Sequence, residues 1–89
     1  LDEEQLDRLL DREPRNIHAL VRKGDLCGSR GDDRGATAFY KAALSAAAQL
    51  AQQGPLSADL RPPIEKAQSG IAVAERRFHD HLERSLSVA

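Results

Sequence analysis

Three breaks divide this chain: Pro14, the run Gly28-Ser29-Arg30-Gly31-Asp32, and Gly54-Pro55. Between the breaks, apolar residues return every three or four positions. Proline denies the residue before it the α region, and glycine accepts the left-handed conformation that ends a helix. No alternating run of β-branched residues is present, so strands are not expected. The expected class is all-α, built of antiparallel helical hairpins.

Four helices follow from the spacing. The first is expected over 2–13, with Leu6, Leu9 and Leu10 on one face and Asp2, Glu3 and Glu4 at the positive end of its dipole. The second is expected over 17–29 behind Asn16, a good N-cap. Its stripe is Ile17, Leu20, Val21, Gly24 and Cys27. Gly24 inside a helix costs about 1 kcal/mol against alanine, which points to a close neighbour there. Gly31 suits the turn, and Asp32 or Asp33 suits the next cap. The third helix is expected over 34–53, with Ala36, Phe39, Tyr40, Ala43, Leu44, Ala47, Leu50 and Ala51 in its stripe. Residues 56–61 read as a loop or a single turn, with Ser57 as a cap. Pro62 and Pro63 fit the first turn of a fourth helix over 63–86. Ile64, Ala67, Ile71, Ala74, Phe78, Leu82 and Leu86 form one apolar face along it, and Gly70 is its weak point.

Composition narrows the function. The chain has 89 residues, enough for one small domain with a limited core. Alanine is the commonest apolar residue and aromatics are only 3%, so each helix contact buries little area. Acids and bases are interspersed, with a net charge of −1. A nucleic-acid binder shows a basic stripe or a stacking platform, and neither is visible, so no nucleic-acid partner is expected. No apolar run reaches the roughly 20 residues of a membrane span, and no signal peptide stands out. A cytoplasmic location without membrane contact is therefore expected. Cys27 is alone and sits at an apolar helical position, where a buried thiol is the ordinary outcome. There is no Met, which suggests a piece of a longer protein, and Arg outnumbers Lys as a GC-rich bacterial genome would favour.

The stretch from Pro14 to Leu44 resembles the tetratricopeptide repeat. With Pro14 as the closing proline of one unit, Ile17 opens the next 34-residue unit. The family's first-helix glycine then falls on Gly24, its turn Gly-Asp on Gly31-Asp32, and its small residue on Ala36. Its aromatic falls on Tyr40 and the following small residue on Ala43. Leu20 stands for the early aromatic, Cys27 for the late tyrosine and Ala48 for the closing proline. The resemblance implies that Leu20, Gly24, Cys27, Gly31, Ala36, Tyr40 and Ala43 pack the repeat. It divides the chain into a half repeat (1–16), a full repeat (17–50) and a C-terminal capping helix (56–89). It further implies an exposed peptide-binding face of His18, Val21, Arg22, Asp25 and Ser29. The family's grip on a terminal carboxylate uses Lys and Asn where Val21 and Asp25 stand here.

The whole chain also looks like the helical N-terminal region of bacterial aspartyl/asparaginyl β-hydroxylase-like proteins. It shares the closing F-Y-K-A-A-L, the Ala-rich extension, the Pro-rich break and the long helix ending near H-D-H-L. Those are Fe(II)- and 2-oxoglutarate-dependent oxygenases, and this resemblance implies an iron site outside the chain.

The residues themselves offer no chemistry. In His79-Asp80-His81, neighbours on a helix diverge by about 100° per residue. Helical metal ligands sit at i and i+3 or i+4, so Glu75 with His79 is the nearest fit and is short of a site. Asp32 and Asp33 lack the alternation of a calcium loop. The glycines at 24, 28, 31 and 35 lack the order and the preceding strand of a phosphate cradle. No catalytic, cofactor-binding or metal residue is expected. The expected function is a non-catalytic protein-interaction module with a protein or peptide partner. The alternatives are an accessory domain of such an oxygenase and a homodimer paired through the Leu6-Leu9-Leu10 face.

Overall fold

The computed structural model describes residues 2–87, with the side chains of His81 and of residues 85–87 left aside. The order of elements is α1 (Glu3–Arg12), α2 (Ile17–Ser29), α3 (Asp33–Ala51), a 3₁₀ turn (Ala58–Leu60) and α4 (Arg61–Ser87). No strand occurs among the described residues.

Each helix end has a local cause. Asp2 lies outside α1 as its cap: its carboxylate accepts from the Gln5 amide at 2.8 Å, and the Gln5 side chain accepts from the Asp2 amide at 3.0 Å. This reciprocal pair satisfies two amides that a helix start leaves open. Asn16 caps α2 by accepting from the Ala19 amide at 3.1 Å. Asp32 caps α3 by accepting from the Gly35 amide at 2.9 Å. α2 ends where Gly31 turns left-handed at φ 81°. There the Asp32 amide reaches back to the Cys27 carbonyl at 2.9 Å, and the Gly31 amide to Gly28 at 3.1 Å. That pair of bonds is the Schellman ending. Gly31 meets no neighbour, so its part is to turn the chain rather than to pack the repeat. α3 ends at Ala51, two residues short of the expected 53, and α4 begins at Arg61, two residues before the expected 63. Pro62 and Pro63 thus sit in the first turn, where a missing N–H costs nothing.

α2 and α3 form the main hairpin, α4 lies across both, and α1 rests chiefly on α2. The core is Ile17, Leu20, Val21, Cys27, Ala36, Tyr40, Ala43, Ala46, Ala47 and Ala67, with Leu10, Phe39, Ile64 and Ile71 packed around it. It is rich in alanine, and its one buried aromatic ring is Tyr40. That ring explains two glycines. A methyl at Gly24 of α2 would sit 2.6 Å from Tyr40 Cε1. A methyl at Gly70 of α4 would collide with Tyr40 Cε2 and lie 2.7 Å from Cζ. The phenol from α3 is a wedge between two helices whose surfaces are bare backbone at the point of contact. Gly70, expected as a weak point, is where α4 makes room for the wedge.

Four expectations change. Val21, expected both in the apolar stripe of α2 and on the exposed peptide face, is buried as the stripe has it, because it faces α4 from the floor between the helices. Leu50 and Ala51 fall outside the core, since the last turn of α3 runs past its neighbours, while Ala46 lies inside. The Leu6-Leu9-Leu10 face is covered within the single chain: Leu6 is buried, and Leu9 and Leu10 are partly so. The uncovered face is at the other end. Ala67 and Ala74 are buried, but Phe78 is 54% exposed and Leu82 41%. α4 has 27 residues against 19 in α3, an excess of about 12 Å at 1.5 Å per residue. Its apolar stripe runs on past the point where α3 begins. Leu86, expected on that stripe, lies outside the described side chains.

Candidate functional site

Asp25 joins three helices. Its Oδ1 accepts from the Tyr40 hydroxyl at 2.5 Å, which ties α2 to α3. Its Oδ2 holds the Lys66 ammonium at 2.9 Å, which ties α2 to α4. Burial, and then the hydrogen bond to Asp25, push the Tyr40 phenol well above its ordinary pKa. Both effects disfavour the phenolate. The wedge therefore keeps its proton, and its one polar atom is satisfied where it emerges from the core.

Around this joint runs a shallow strip between α2 and α4. One part, of about 350 Å³, is lined by His18, Val21, Arg22, Asp25, Pro62, Pro63 and Lys66. A second part, of about 430 Å³, continues past Asp25 and Lys66 to Ser29, Gly70, Val73 and Arg77, with Tyr40 at its floor. All five residues expected on the peptide face lie on this strip. His18 and Arg22 form the rim at one end and Ser29 at the other, Asp25 sits midway, and Val21 lies at the bottom. Ser29 turns its hydroxyl inward to the Leu26 carbonyl at 2.8 Å. His18 lies 3.3 Å from Asp59 on the turn before α4. Arg77 reaches the Asp33 carboxylate at 3.2 Å. The whole α4 wall went unpredicted. Its signal is Pro62, Lys66, Gly70, Val73 and Arg77, a second stripe at helical spacing beside the apolar one.

A larger depression, of about 580 Å³, lies on the other flank of α4, where Asp33, Arg34, Thr37 and Lys41 face Glu75, Phe78 and His79. Lys41 and His79 stand there without a bond to each other, and no buried polar group points into the space. Among the described residues, no three His, Cys, Asp or Glu side chains converge as a metal site would require. Glu75 and His79 share this depression as a pair only, and the side chain of His81 is outside the description. Cys27 is a buried free thiol.

The remaining charge cluster holds α1 in place. Lys23 of α2 binds Glu3 at 2.8 Å and Asp7 at 2.6 Å, and Arg30 also pairs with Glu3. Arg30 first, and Lys23 second, hold the Glu3 carboxyl down at about 2. Asp7 and then Glu3 raise Lys23 above its ordinary value. No described helix is long and apolar enough to cross a membrane.

No protein-family model matches this chain, and neither a curated protein nor a solved structure does.

Proposed function

We propose that the chain is a non-catalytic protein-interaction module of tetratricopeptide type, and that the α2–α4 strip receives a peptide segment of a partner. The observation that carries this reading is the strip itself. Its floor is packed core, and its two walls are held apart by a ring that allows no methyl at either glycine. A groove set by such packing is formed before a ligand arrives, so binding need not order it. Most of the charged groups along it are tied across helices, as Asp25 is to Tyr40 and Lys66 and Arg77 is to Asp33. The contact of Tyr40 with Gly24, in the repeat register of the resemblance, supports the same reading. Self-pairing through Leu6, Leu9 and Leu10 has lost its motive, since α2 already covers that face.

Selection of peptides from a random display library against the ¹⁵N-labelled chain tests the proposal. Enriched peptides should shift amides of residues 18–29 and 62–77, and Val73→Glu should abolish the effect without unfolding the chain. Failure to enrich any peptide, or shifts confined to α1 and the far flank of α4, would sink it.

A further inference from the structure

From Arg22 to Arg77 the strip turns cations outward to an incoming chain, although the protein as a whole has a net charge of −1. The one exposed carboxylate, Asp59, stands at the far end beside His18. The two carboxylates along that stretch lie inward: the side chains of Asp25 and Asp33 are 31% and 34% exposed. The cations they hold stand outward, Lys66 at 64% and Arg77 at 59%. Arg22, on the opposite wall from Lys66, is exposed and makes no ion pair among the described residues. An ammonium has three donors and a guanidinium five, so Lys66 and Arg77 keep donors free after binding their own carboxylates. A basic segment would meet carboxylates already bonded, behind a screen of like charge.

Spacing adds a length. Lys66 and Arg77 are eleven positions apart on α4, about 16 Å along a helix. An extended peptide covers that in about five residues at 3.3 Å each. Between the two cations the wall has no long side chain: Gly70 is bare, Ala74 is buried, and Val73 is 45% exposed.

Resting on the interaction reading, we infer that the strip takes an extended acidic segment of a partner protein. One carboxylate sits between Arg22 and Lys66, a second lies about five residues away at Arg77, and an apolar side chain rests over Val73 between them. Nucleic acid fits less well. Three cations, two of them already bound to carboxylates, release few counterions from a phosphate backbone.

Three labelled peptides in a Gly/Ser background test this against the full 89-residue chain. One has Glu at its first and sixth positions and Leu at its third; the second has Gln and the third Lys in place of Glu. The Glu peptide should give saturable shifts along 18–29 and 62–77. The Gln peptide should bind about fivefold more weakly, and affinity should fall as salt rises. Arg22→Glu, which breaks no internal bond, should weaken the Glu peptide about fivefold or more, and Arg22→Lys should leave it nearly intact. Equal or tighter binding of the Gln or Lys peptide, no saturable binding of the Glu peptide, or displacement of it by a single-stranded oligonucleotide at lower concentration overturns the inference. Display-selected peptides that map to the strip without enriched acids would also overturn it while leaving the interaction reading standing. Both fall together only if the selected peptides miss the strip as well.

Discussion

The Tyr40 joint and the α1 dock are two ways of fixing one helix to another, and they have little in common. At the joint, an aromatic ring fills the gap between Gly24 and Gly70, and shape decides the distance between helices. At the dock, one buried leucine, Leu6, is supplemented by Glu3 and Asp7 on Lys23 and by Glu3 on Arg30. Close packing responds to a single methyl and hardly to solvent conditions. Ion pairs near the surface tolerate changes of shape and respond to pH and salt. The joint should therefore be sensitive to substitution and the dock to acid.

The largest effect is expected from Tyr40→Ala. Removing a buried aromatic ring costs about 3–5 kcal/mol, close to the whole stability of a small domain. Urea denaturation should show the chain largely unfolded, and a loss under 1 kcal/mol would mean that the ring is not the wedge described. Next come Gly24→Ala and Gly70→Ala, each expected to destabilise by about 1–3 kcal/mol through overpacking. Helix propensity alone would make both stabilising by about 1 kcal/mol, so the sign of the change separates the two ideas. In a Tyr40→Ala background the same glycine changes should become neutral or favourable, and a double-mutant cycle measures that coupling.

The dock is tested with acid. The pKa of Glu3 is lower in the folded chain than in the unfolded one. Its contribution is therefore complete above about pH 4.5 and is lost as pH falls towards 2. Amide exchange in α1 should accelerate over that window before exchange around Tyr40 does. Glu3→Gln should leave the α1 profile flatter, and an unchanged profile would count against the pairing. Tyr40 has the opposite sign: its pKa is raised on folding, so the stability it contributes is present below pH 10 and lost as pH rises beyond it. The smallest effect is expected at the overhang of α4. Phe78→Ser and Leu82→Ser should each change stability by about 0.5 kcal/mol or less, because both side chains already face water. A larger loss would show that the overhang is packed in solution.

Much of the fold could be read along the chain, and the reason is locality. Pro14, Asn16, Gly31 with Asp32, and Gly54-Pro55 act within one turn of themselves, and each lies at or beside an observed helix boundary. Contact between Gly24 and Tyr40 could also be read, because the two residues belong to neighbouring helices of one hairpin. Gly70 could not, because its partner lies thirty positions earlier, across the Gly54-Pro55 break, whose course sets how α4 meets α3. The five residues of the expected binding face came from the resemblance to the tetratricopeptide repeat, whereas the opposing wall of Lys66, Val73 and Arg77 depends on how α4 lies beside α2.

By itself, then, the sequence determined four helices, the caps of α2 and α3 and the small residues of the hairpin, since propensity and periodicity are properties of neighbours in the chain. Asp2, read as part of the first helix, caps it instead, and Ser57 makes no capping bond. Tertiary structure alone decided that Gly70 is a seat and not a flaw, and that Phe78 and Leu82 stand uncovered. An apolar stripe announces that a face is fit for burial; whether it is buried depends on where the opposing helix begins.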